Sequence, residues 1–118
     1  MNKSIFLDTY AIFEIVKGNS KYKQYEEFQL TTTVFNLAEF NYNFEKDKKF
    51  VDNYTKKLFN FVVDVTLEGI QDAMDLKTSK RNLSIPDAVG YTVAKRLGMK
   101  FLTGDRDFEG MENVEFVK

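Results

Sequence analysis

The chain has 118 residues, the usual length of one domain, and 43% of them are hydrophobic, including 12 Phe. It contains no Cys and no His, which excludes disulfides, thiol nucleophiles, imidazole bases and zinc sites built on nitrogen or sulfur ligands. The formal net charge of −1 gives no overall indication of nucleic-acid binding. Any metal site must therefore use oxygen ligands, which select hard cations such as Mg²⁺, Mn²⁺ or Ca²⁺.

The sequence carries no signal for a membrane or for export. No apolar run approaches the length of a membrane span, and the N-terminus, MNKSIFLDTY, lacks the long apolar stretch of a signal peptide. No linker, repeat or low-complexity tract divides the chain. We therefore expect a single domain spanning residues 1–118, located in the cytoplasm and not associated with a membrane.

Apolar spacing predicts alternating strands and helices in the first half of the chain. The first strand ends at Asp8, and Gly18 ends the helix that follows it. A run of three Thr residues, which are β-branched, favours a second strand. In chain order the predicted elements are a strand at residues 4–7, helices at 9–17 and 22–28, a strand at 31–33, and helices at 34–42 and 50–61.

The second half continues the same alternation. Pro86, the only proline, suits the first turn of a helix, where its missing N–H would be unpaired in any case. The predicted elements are a strand at residues 61–65, helices at 67–76 and 86–97, a strand at 100–103, a turn-rich loop at 104–110 and a last strand at 114–117. This order predicts an α/β fold, with a parallel sheet covered by helices on both faces.

Acidic residues follow two of the predicted strands. Asp8 comes directly after the first strand, and Asp105 follows the strand that ends at Thr103, separated from it only by Gly104. Asp87 lies in the first turn of a helix that should begin on the same side of the sheet. Because ligands bind at the carboxyl ends of parallel strands, we expect these three carboxylates to converge on one crevice.

Glu39 is a fourth candidate because of its position in the middle of a helix. It stands between Ala38 and Phe40, and that helix is apolar around much of its circumference. A charged carboxylate buried there would be costly without a partner. A metal ion or a hydrogen-bonding network is the physical means of keeping it charged.

Each of these acids also has an ordinary structural interpretation. Asp8 could cap the next helix, and Asp87 could complement the dipole of its own helix. Glu39 could lie on a narrow polar side of its helix that it shares with Asn36. In the segment TGDRDF, Asp107 suits an ordinary turn. The joint occurrence of the four acids favours a functional site over these separate explanations.

Four segments together resemble the PIN-domain ribonuclease family, and in particular VapC-like toxins of type II toxin-antitoxin systems. They span most of the chain and read FLDTYA, TTTVFNLAEF, IPDAVGYTVAKRLG and FLTGDRDFEGMENVEFV. The resemblance implies a three-layer α/β/α sandwich with a mainly parallel sheet. It maps the family's acidic quartet onto Asp8, Glu39, Asp87 and Asp105. One departure is Tyr10, where relatives often carry a smaller polar residue.

The resemblance also implies a reaction. An RNA phosphodiester bond would be hydrolysed with the help of one or two Mg²⁺ or Mn²⁺ ions held by the quartet, and water would attack in line. By similarity, the hydroxyls of Thr9 and Thr103 would orient carboxylates or water. Asp107 would be an accessory acid. The family further implies a homodimer and a cognate antitoxin that docks on the helical surface and blocks the acidic pocket.

Cations near the crevice would be needed to bind RNA. Arg106 lies beside Asp105, and Lys80 and Arg81 precede the helix that carries Asp87. They are candidates for contacts with phosphate groups, together with Lys77, although a solvated basic face is an equally good interpretation of the cluster. Aromatic residues of the early helices, such as Phe13, Tyr22 and Tyr25, are candidates for the antitoxin surface.

Two other functions are compatible with parts of the sequence. A receiver-like signalling domain also holds Mg²⁺ with acids at strand ends, but it would need paired acids after the first strand, whereas FLDTYA has one. A non-catalytic PIN-like interaction module would keep the sandwich and lose the metal, which the intact quartet argues against. The nuclease remains the main prediction.

Overall fold

The structure is a computed structural model that describes residues 3–118. This part of the chain contains four strands in one parallel sheet, with the spatial order β2-β1-β3-β4. The two central strands carry the acids predicted at strand ends. The strands are β1 (Ser4–Leu7), β2 (Gln29–Thr31), β3 (Phe101–Thr103) and β4 (Val114–Phe116).

Five α-helices and three 3₁₀ helices connect the strands within residues 3–118. None of these helices combines the length and the apolar composition needed to cross a lipid bilayer. The α-helices are α1 (Thr9–Lys17), α2 (Val34–Asn43), α3 (Lys48–Leu58), α4 (Leu67–Ser79) and α5 (Ile85–Arg96). The 3₁₀ helices are Ser20–Glu27, Phe59–Phe61 and Arg106–Phe108.

Two buried clusters occupy the two faces of the sheet. Ile5 and Leu7 of β1 pack on one face, against α1, α2 and α3. Phe6 points to the opposite face, where it packs with α4, α5 and Phe101 of β3. This alternation follows from the strand periodicity of two residues. Burial of each of these side chains contributes about 1.5–3 kcal/mol to the free energy of unfolding. The arrangement confirms the predicted three-layer α/β/α sandwich.

The segment predicted as a strand at residues 61–65 is the main error of the sequence prediction. It forms no strand, and Val62 makes a single isolated bridge with Thr32 beyond the end of β2. Val63 and Val65 nevertheless pack against the buried cluster of the second face. Phe61 and Val62 pack against the cluster of the first face, so the apolar residues of this extended segment are partly buried against both clusters. Burial alone does not require a ladder of hydrogen bonds.

The second strand is also displaced from its predicted position at residues 31–33. It covers Gln29–Thr31, and the next two threonines turn the chain into α2. The hydroxyl of Thr32 donates a hydrogen bond to the carbonyl of Leu7, at 2.9 Å, and the Thr33 hydroxyl caps the helix. Threonine hydroxyls compete with the strand ladder for backbone groups, which propensity alone does not reveal.

The aromatics proposed for a partner surface are mostly internal. The predicted helix at residues 22–28 is the 3₁₀ helix Ser20–Glu27, which places Tyr22 and Tyr25 at 0% and 4% exposure. Their hydroxyls donate to the carbonyl of Val117, at 2.6 Å, and to the carboxylate of Glu115, at 2.7 Å. The two tyrosines therefore hold the C-terminal strand and cannot supply the surface predicted for an antitoxin.

Candidate active site

Asp8 stands at the junction of β1 and α1, where its backbone has the extended conformation of a helix cap. Its side chain is buried, with 1% exposure, and makes no hydrogen bond to the helix N-terminus. Instead, one carboxylate oxygen, Oδ2, accepts a hydrogen bond from the hydroxyl of Thr103 at 2.7 Å. Asp8 therefore occupies the N-cap position of α1 through its backbone, but its side chain makes no capping bond and instead contacts the end of β3.

Thr103 connects the two strand ends. Its hydroxyl donates to Asp8 and accepts a hydrogen bond from the backbone N–H of Asp105, at 3.1 Å. Because the backbone donor fixes the hydroxyl oxygen as an acceptor, the hydroxyl proton is directed to Asp8. The sequence predicted that the Thr103 hydroxyl contacts a carboxylate, and the structure contains this contact.

The other oxygen of Asp8, Oδ1, has an unusual environment. Among residues 3–118 it is the one buried side-chain polar atom without a hydrogen-bond partner. Burial raises the pKa of the Asp8 carboxyl well above its ordinary value, and the charges of Asp87 and Glu39 raise it further. The hydrogen bond from Thr103 and a weaker contact with the backbone N–H of Thr9 oppose this change only in part. The fold therefore disfavours the ionised form of Asp8.

Asp87 has two environments at once. It forms a capping box with Ser84: its carboxylate accepts from the Ser84 N–H at 3.0 Å, and its own N–H donates to the Ser84 hydroxyl at 3.1 Å. Asp87 therefore does have a structural role at the N-terminus of α5, as its position in the first turn suggested. Even so, burial raises the pKa of this carboxyl to about 6, and the charges of Glu39 and Asp105 add to the rise against the lowering effect of the Ser84 bonds.

Glu39 and Asp105 are half-buried and face the same region. The hydroxyl of Ser84 lies 3.5 Å from the Glu39 carboxylate, which is a weak contact at most. Asp105 caps the last 3₁₀ helix by accepting a hydrogen bond from the N–H of Asp107 at 3.0 Å. Asp107 itself is exposed, and its predicted role as an accessory acid has no contact in support.

These elements enclose a cleft of about 350 Å³ at the carboxyl ends of β1 and β3. All four predicted acids line it, so the structure brings together residues that are far apart in the sequence. Thr9 also lines the cleft, but its hydroxyl contacts the amide of Asn36 at 3.2 Å instead of orienting a carboxylate. The remaining lining residues are Tyr10, Phe13, Glu14, Lys17 and Ser84.

Sequence reasoning missed the contribution of α1 to this cleft. Tyr10, Phe13, Glu14 and Lys17 have the spacing i, i+3, i+4 and i+7, which places them on one face of the helix. The signal was therefore available in the sequence, but this face mixes apolar and charged residues and resembles neither a core stripe nor a polar surface. Only the packing of α1 beside Asp8 shows that it borders the acids.

Gly104 explains how Tyr10 approaches the strand end. A Cβ atom at this position would lie 2.5 Å from the ring carbon Cε1 of Tyr10 and closer still to the carbonyl oxygen of Val117. No side chain can fit at this position, so the close approach of Tyr10 and Val117 requires glycine. Tyr10 thereby packs against the end of β3 and forms part of the cleft wall.

The basic residues predicted to contact RNA lie outside this cleft. Arg106 is exposed, and its guanidinium is 3.6 Å from the carboxylate of Glu109. Arg81 borders a separate depression together with Lys77, whose ammonium group donates to the carbonyl of Leu83 at 2.7 Å. Lys80 is exposed at the end of α4. Their roles in RNA binding stay predictions.

The cleft does not form a closed metal cage. Within the described residues, no group of three or more acidic side chains is arranged closely enough to hold one ion. Burial, with a smaller contribution from neighbouring carboxylates, raises the pKa of the Asp8 and Asp87 carboxyls, and Oδ1 of Asp8 has no hydrogen-bond partner. A cation bound in the cleft would favour the ionised forms of both carboxyls.

The fold and the cleft define a class of small α/β protein that carries a carboxylate site at the carboxyl edge of a parallel sheet. Comparison with known families identifies it further. A family model described as PIN domain matches residues 5–114, so the chain belongs to the PIN domain family. This confirms the resemblance and excludes the receiver-like alternative. PIN domains are, as a class, nucleases that generally use divalent metal ions.

Solved structures from three bacteria are among those that share this fold. A toxin-antitoxin complex from Klebsiella pneumoniae has a TM-score of 0.76 and 18% identity, over 94% of this chain and 95% of that one. VapBC2 from Rickettsia felis, bound to a DNA fragment from its promoter, has a TM-score of 0.71 and 16% identity, over 97% of both chains. VapBC-5 from Mycobacterium tuberculosis has a TM-score of 0.62 and 19% identity, over 98% of both. No curated protein sequence gives a match.

The raised pKa of Asp87 predicts how stability depends on pH in the metal-free protein. The carboxyl has a pKa of about 6 in the fold and an ordinary value of 3.8. Between these values the folded protein binds more protons than the unfolded chain, so the free energy of unfolding should fall as the pH rises from about 4 to about 6. Thermal unfolding in EDTA should record this as a falling Tm.

The Asp87→Asn variant should show a smaller fall in Tm over the same interval, because its amide keeps an acceptor for Ser84 but cannot ionise. Asp64→Asn, which changes an exposed carboxylate outside the cleft, is the matched control and should follow the wild-type curve. An equally steep fall in Asp87→Asn and wild type would contradict the assignment.

Proposed function

We propose that this protein is a metal-dependent endoribonuclease that hydrolyses RNA phosphodiester bonds and acts as the toxin of a toxin-antitoxin pair. The observation that carries the proposal is the buried Oδ1 of Asp8, which has no partner in a cleft lined by four acids. A fold rarely keeps such a group unless something binds it. Membership of the PIN domain family supports the nuclease part of the proposal.

The donor set fits Mg²⁺ or Mn²⁺. All candidate ligands are carboxylate oxygens, which hard cations prefer. Because no three acids converge on one point within the described residues, we propose direct bonds from one or two carboxylates, with water in the remaining positions. Mg²⁺ commonly binds in this way, since it gives up its water reluctantly.

Bound in the cleft, the cation would polarise the phosphate and make water a better nucleophile. The side chains supply the rest. Thr103 holds the carboxylate of Asp8 in one orientation through its 2.7 Å hydrogen bond. The chain has no His, so carboxylates are the groups in the cleft that can accept a proton. In the metal-free protein burial raises the pKa of Asp87 to about 6, and a cation bound beside it would lower that pKa by favouring the ionised carboxylate.

The α1 wall of the cleft is our candidate for the RNA path. Lys17 is the one cation among the described residues that line the cleft, and its ammonium group lies 3.3 Å from the carboxylate of Glu14. Tyr10 and Phe13 also line the cleft, and along the chain they lie between Asp8 and Lys17. Unpaired bases stack on aromatic rings, and lysines contact phosphate groups. We therefore expect a single RNA strand to follow this face of α1.

The Asp8→Asn and Asp87→Asn variants should each reduce cleavage of defined RNAs in Mn²⁺ by more than about 100-fold. Asn removes the charge that holds the cation but keeps an oxygen to accept from Thr103 or Ser84, so the fold should survive. The measurement is the cleavage rate with and without EDTA, with Tm as the check on folding. Asp64→Asn should cleave normally. Undiminished rates in both cleft variants would contradict the proposed role of these carboxylates, whereas a wild type that neither binds Mn²⁺ nor cleaves RNA would favour the non-catalytic module.

Lys17→Gln should raise the KM for RNA several-fold and leave kcat nearly unchanged, because Lys17 would contact a phosphate away from the reacting atoms. It should also reduce the slope of log binding constant against log salt by about 1. Lys23→Gln, which changes an exposed lysine outside the cleft, is the control. An unchanged KM and salt slope in Lys17→Gln would exclude this path.

The proposals of a toxin role, an antitoxin partner and a homodimer rest on the solved structures that share the fold, whose titles name toxin-antitoxin complexes. Within residues 3–118, exposed apolar side chains offer surface for such partners. They are Val34, Tyr42, Phe59, Leu67, Ile70, Ile85 and Leu97.

Induced expression of the chain alone in a bacterial host should arrest growth, because uncontrolled RNA cleavage stops protein synthesis. The Asp87→Asn variant, expressed to the same level, should permit growth. Colony counts and immunoblots after induction give the measurement. Normal growth with the active wild-type enzyme present would argue for an RNA-processing nuclease instead of a toxin.

A further inference from the structure

Asn36 is a fully buried polar residue in the first turn of α2, three residues before Glu39. The sequence suggested that it shares a polar surface with Glu39, and this is wrong because its exposure is 0%. A buried amide is retained in a core only when its hydrogen bonds are satisfied. The partners of Asn36 therefore indicate what it does.

The side-chain amide of Asn36 joins three elements that each carry an acid of the cleft. Its Nδ2 donates to the hydroxyl of Thr9 at 3.2 Å and to the carbonyl of Pro86 at 3.3 Å. Its Oδ1 accepts from the hydroxyl of Thr33 at 2.7 Å. Thr9 follows Asp8, Pro86 precedes Asp87, and Thr33 caps the helix that carries Glu39. The side-chain amide of Asn36 thus connects the N-termini of α1, α2 and α5.

The packing around this amide leaves it little freedom. A Cβ atom added at Gly90 of α5 would lie 2.9 Å from Oδ1 and 3.2 Å from Nδ2 of Asn36. The backbone of α5 therefore passes close to both polar atoms of the amide, and glycine makes this approach possible. Removing the amide would leave the Thr9 hydroxyl and the Pro86 carbonyl without this partner and open a space beneath α5.

We propose that Asn36 is a positioning residue for the acidic site, which sets the spacing between the three segments bearing Asp8, Glu39 and Asp87. The proposal rests on the proposed metal-dependent nuclease function. It assigns Asn36 no contact with substrate or metal. Its effect is exerted through the placement of α1, α2 and α5, so removing it should loosen cation binding even in the absence of RNA.

Asn41 provides a matched control on the same helix. Its Nδ2 also donates two hydrogen bonds, to the carboxylate of Asp52 at 3.0 Å and to the hydroxyl of Thr55 at 2.8 Å. Both partners belong to α3, which contributes no residue to the cleft. Asn41→Ala therefore removes an equivalent pair of bonds from α2 without touching the connection to α1 and α5.

The experiment compares Asn36→Ala with Asn41→Ala by three measurements: the Kd for Mn²⁺ from calorimetry without RNA, the kcat and KM for RNA cleavage, and Tm. Asn36→Ala should weaken Mn²⁺ binding and lower kcat by about 10-fold to 100-fold, the range found for residues that orient metal ligands. Asn41→Ala should lower Tm while changing Kd and kcat less than about twofold. Equal Kd and kcat losses in the two variants, or none in Asn36→Ala, would overturn the proposal.

Thr9→Val gives a second variant that preserves side-chain shape and removes only the hydroxyl bonded to Asn36. It should weaken Mn²⁺ binding several-fold. When Thr9→Val is combined with Asn36→Ala, the fold-loss in Mn²⁺ affinity should be smaller than the product of the two single fold-losses. Strictly multiplicative losses would contradict a shared network. A wild-type protein that neither binds Mn²⁺ nor cleaves RNA would overturn the proposed function itself, whereas an active wild type with normal Asn36→Ala and Thr9→Val variants would overturn only the positioning role.

Discussion

A carboxylate buried at the end of the first strand is the constraint on which the rest of this structure depends. Asp8 is almost inaccessible, one of its oxygens is held by Thr103, and the other has no partner among the described residues. Asp87 and Glu39 make its charge still less favourable. An arrangement that costs stability and is held by surrounding packing is characteristic of functional sites. The buried clusters on the two faces of the sheet supply the packing that keeps Asp8 in this position.

The acids are positioned by hydrogen bonds that also complete the secondary structure. The Ser84 capping box begins α5 and holds Asp87 at the same time, and the hydroxyl of Thr103 terminates β3 while it orients Asp8. Asn36 adds a link between the helices. A structural contact and the proposed functional role of a polar residue are therefore compatible in this protein.

Much of the fold and of the site was predictable, because both depend on local patterns. The runs of buried residues and their spacing give most elements within a few residues, and acids at the ends of β1 and β3 must meet at one edge of a parallel sheet. The errors have a common cause, which is that a local pattern does not reveal how a residue is buried by distant segments. The segment at residues 61–65 resembles a strand because its apolar residues are partly buried against both clusters, and Asn36 resembles a surface residue because polar residues usually are exposed.

The sequence by itself determined the family, the sandwich and the identity of the four clustered acids, because strand ends, helix periods and the absence of Cys and His are properties of the chain read in order. The tertiary structure alone decided the energetics of the site. The bond between Thr103 and Asp8 joins residues 95 positions apart, and the wall formed by α1 depends on how that helix packs beside the sheet. Contacts between distant segments, and the burial that shifts a pKa, leave no periodic trace in a single sequence.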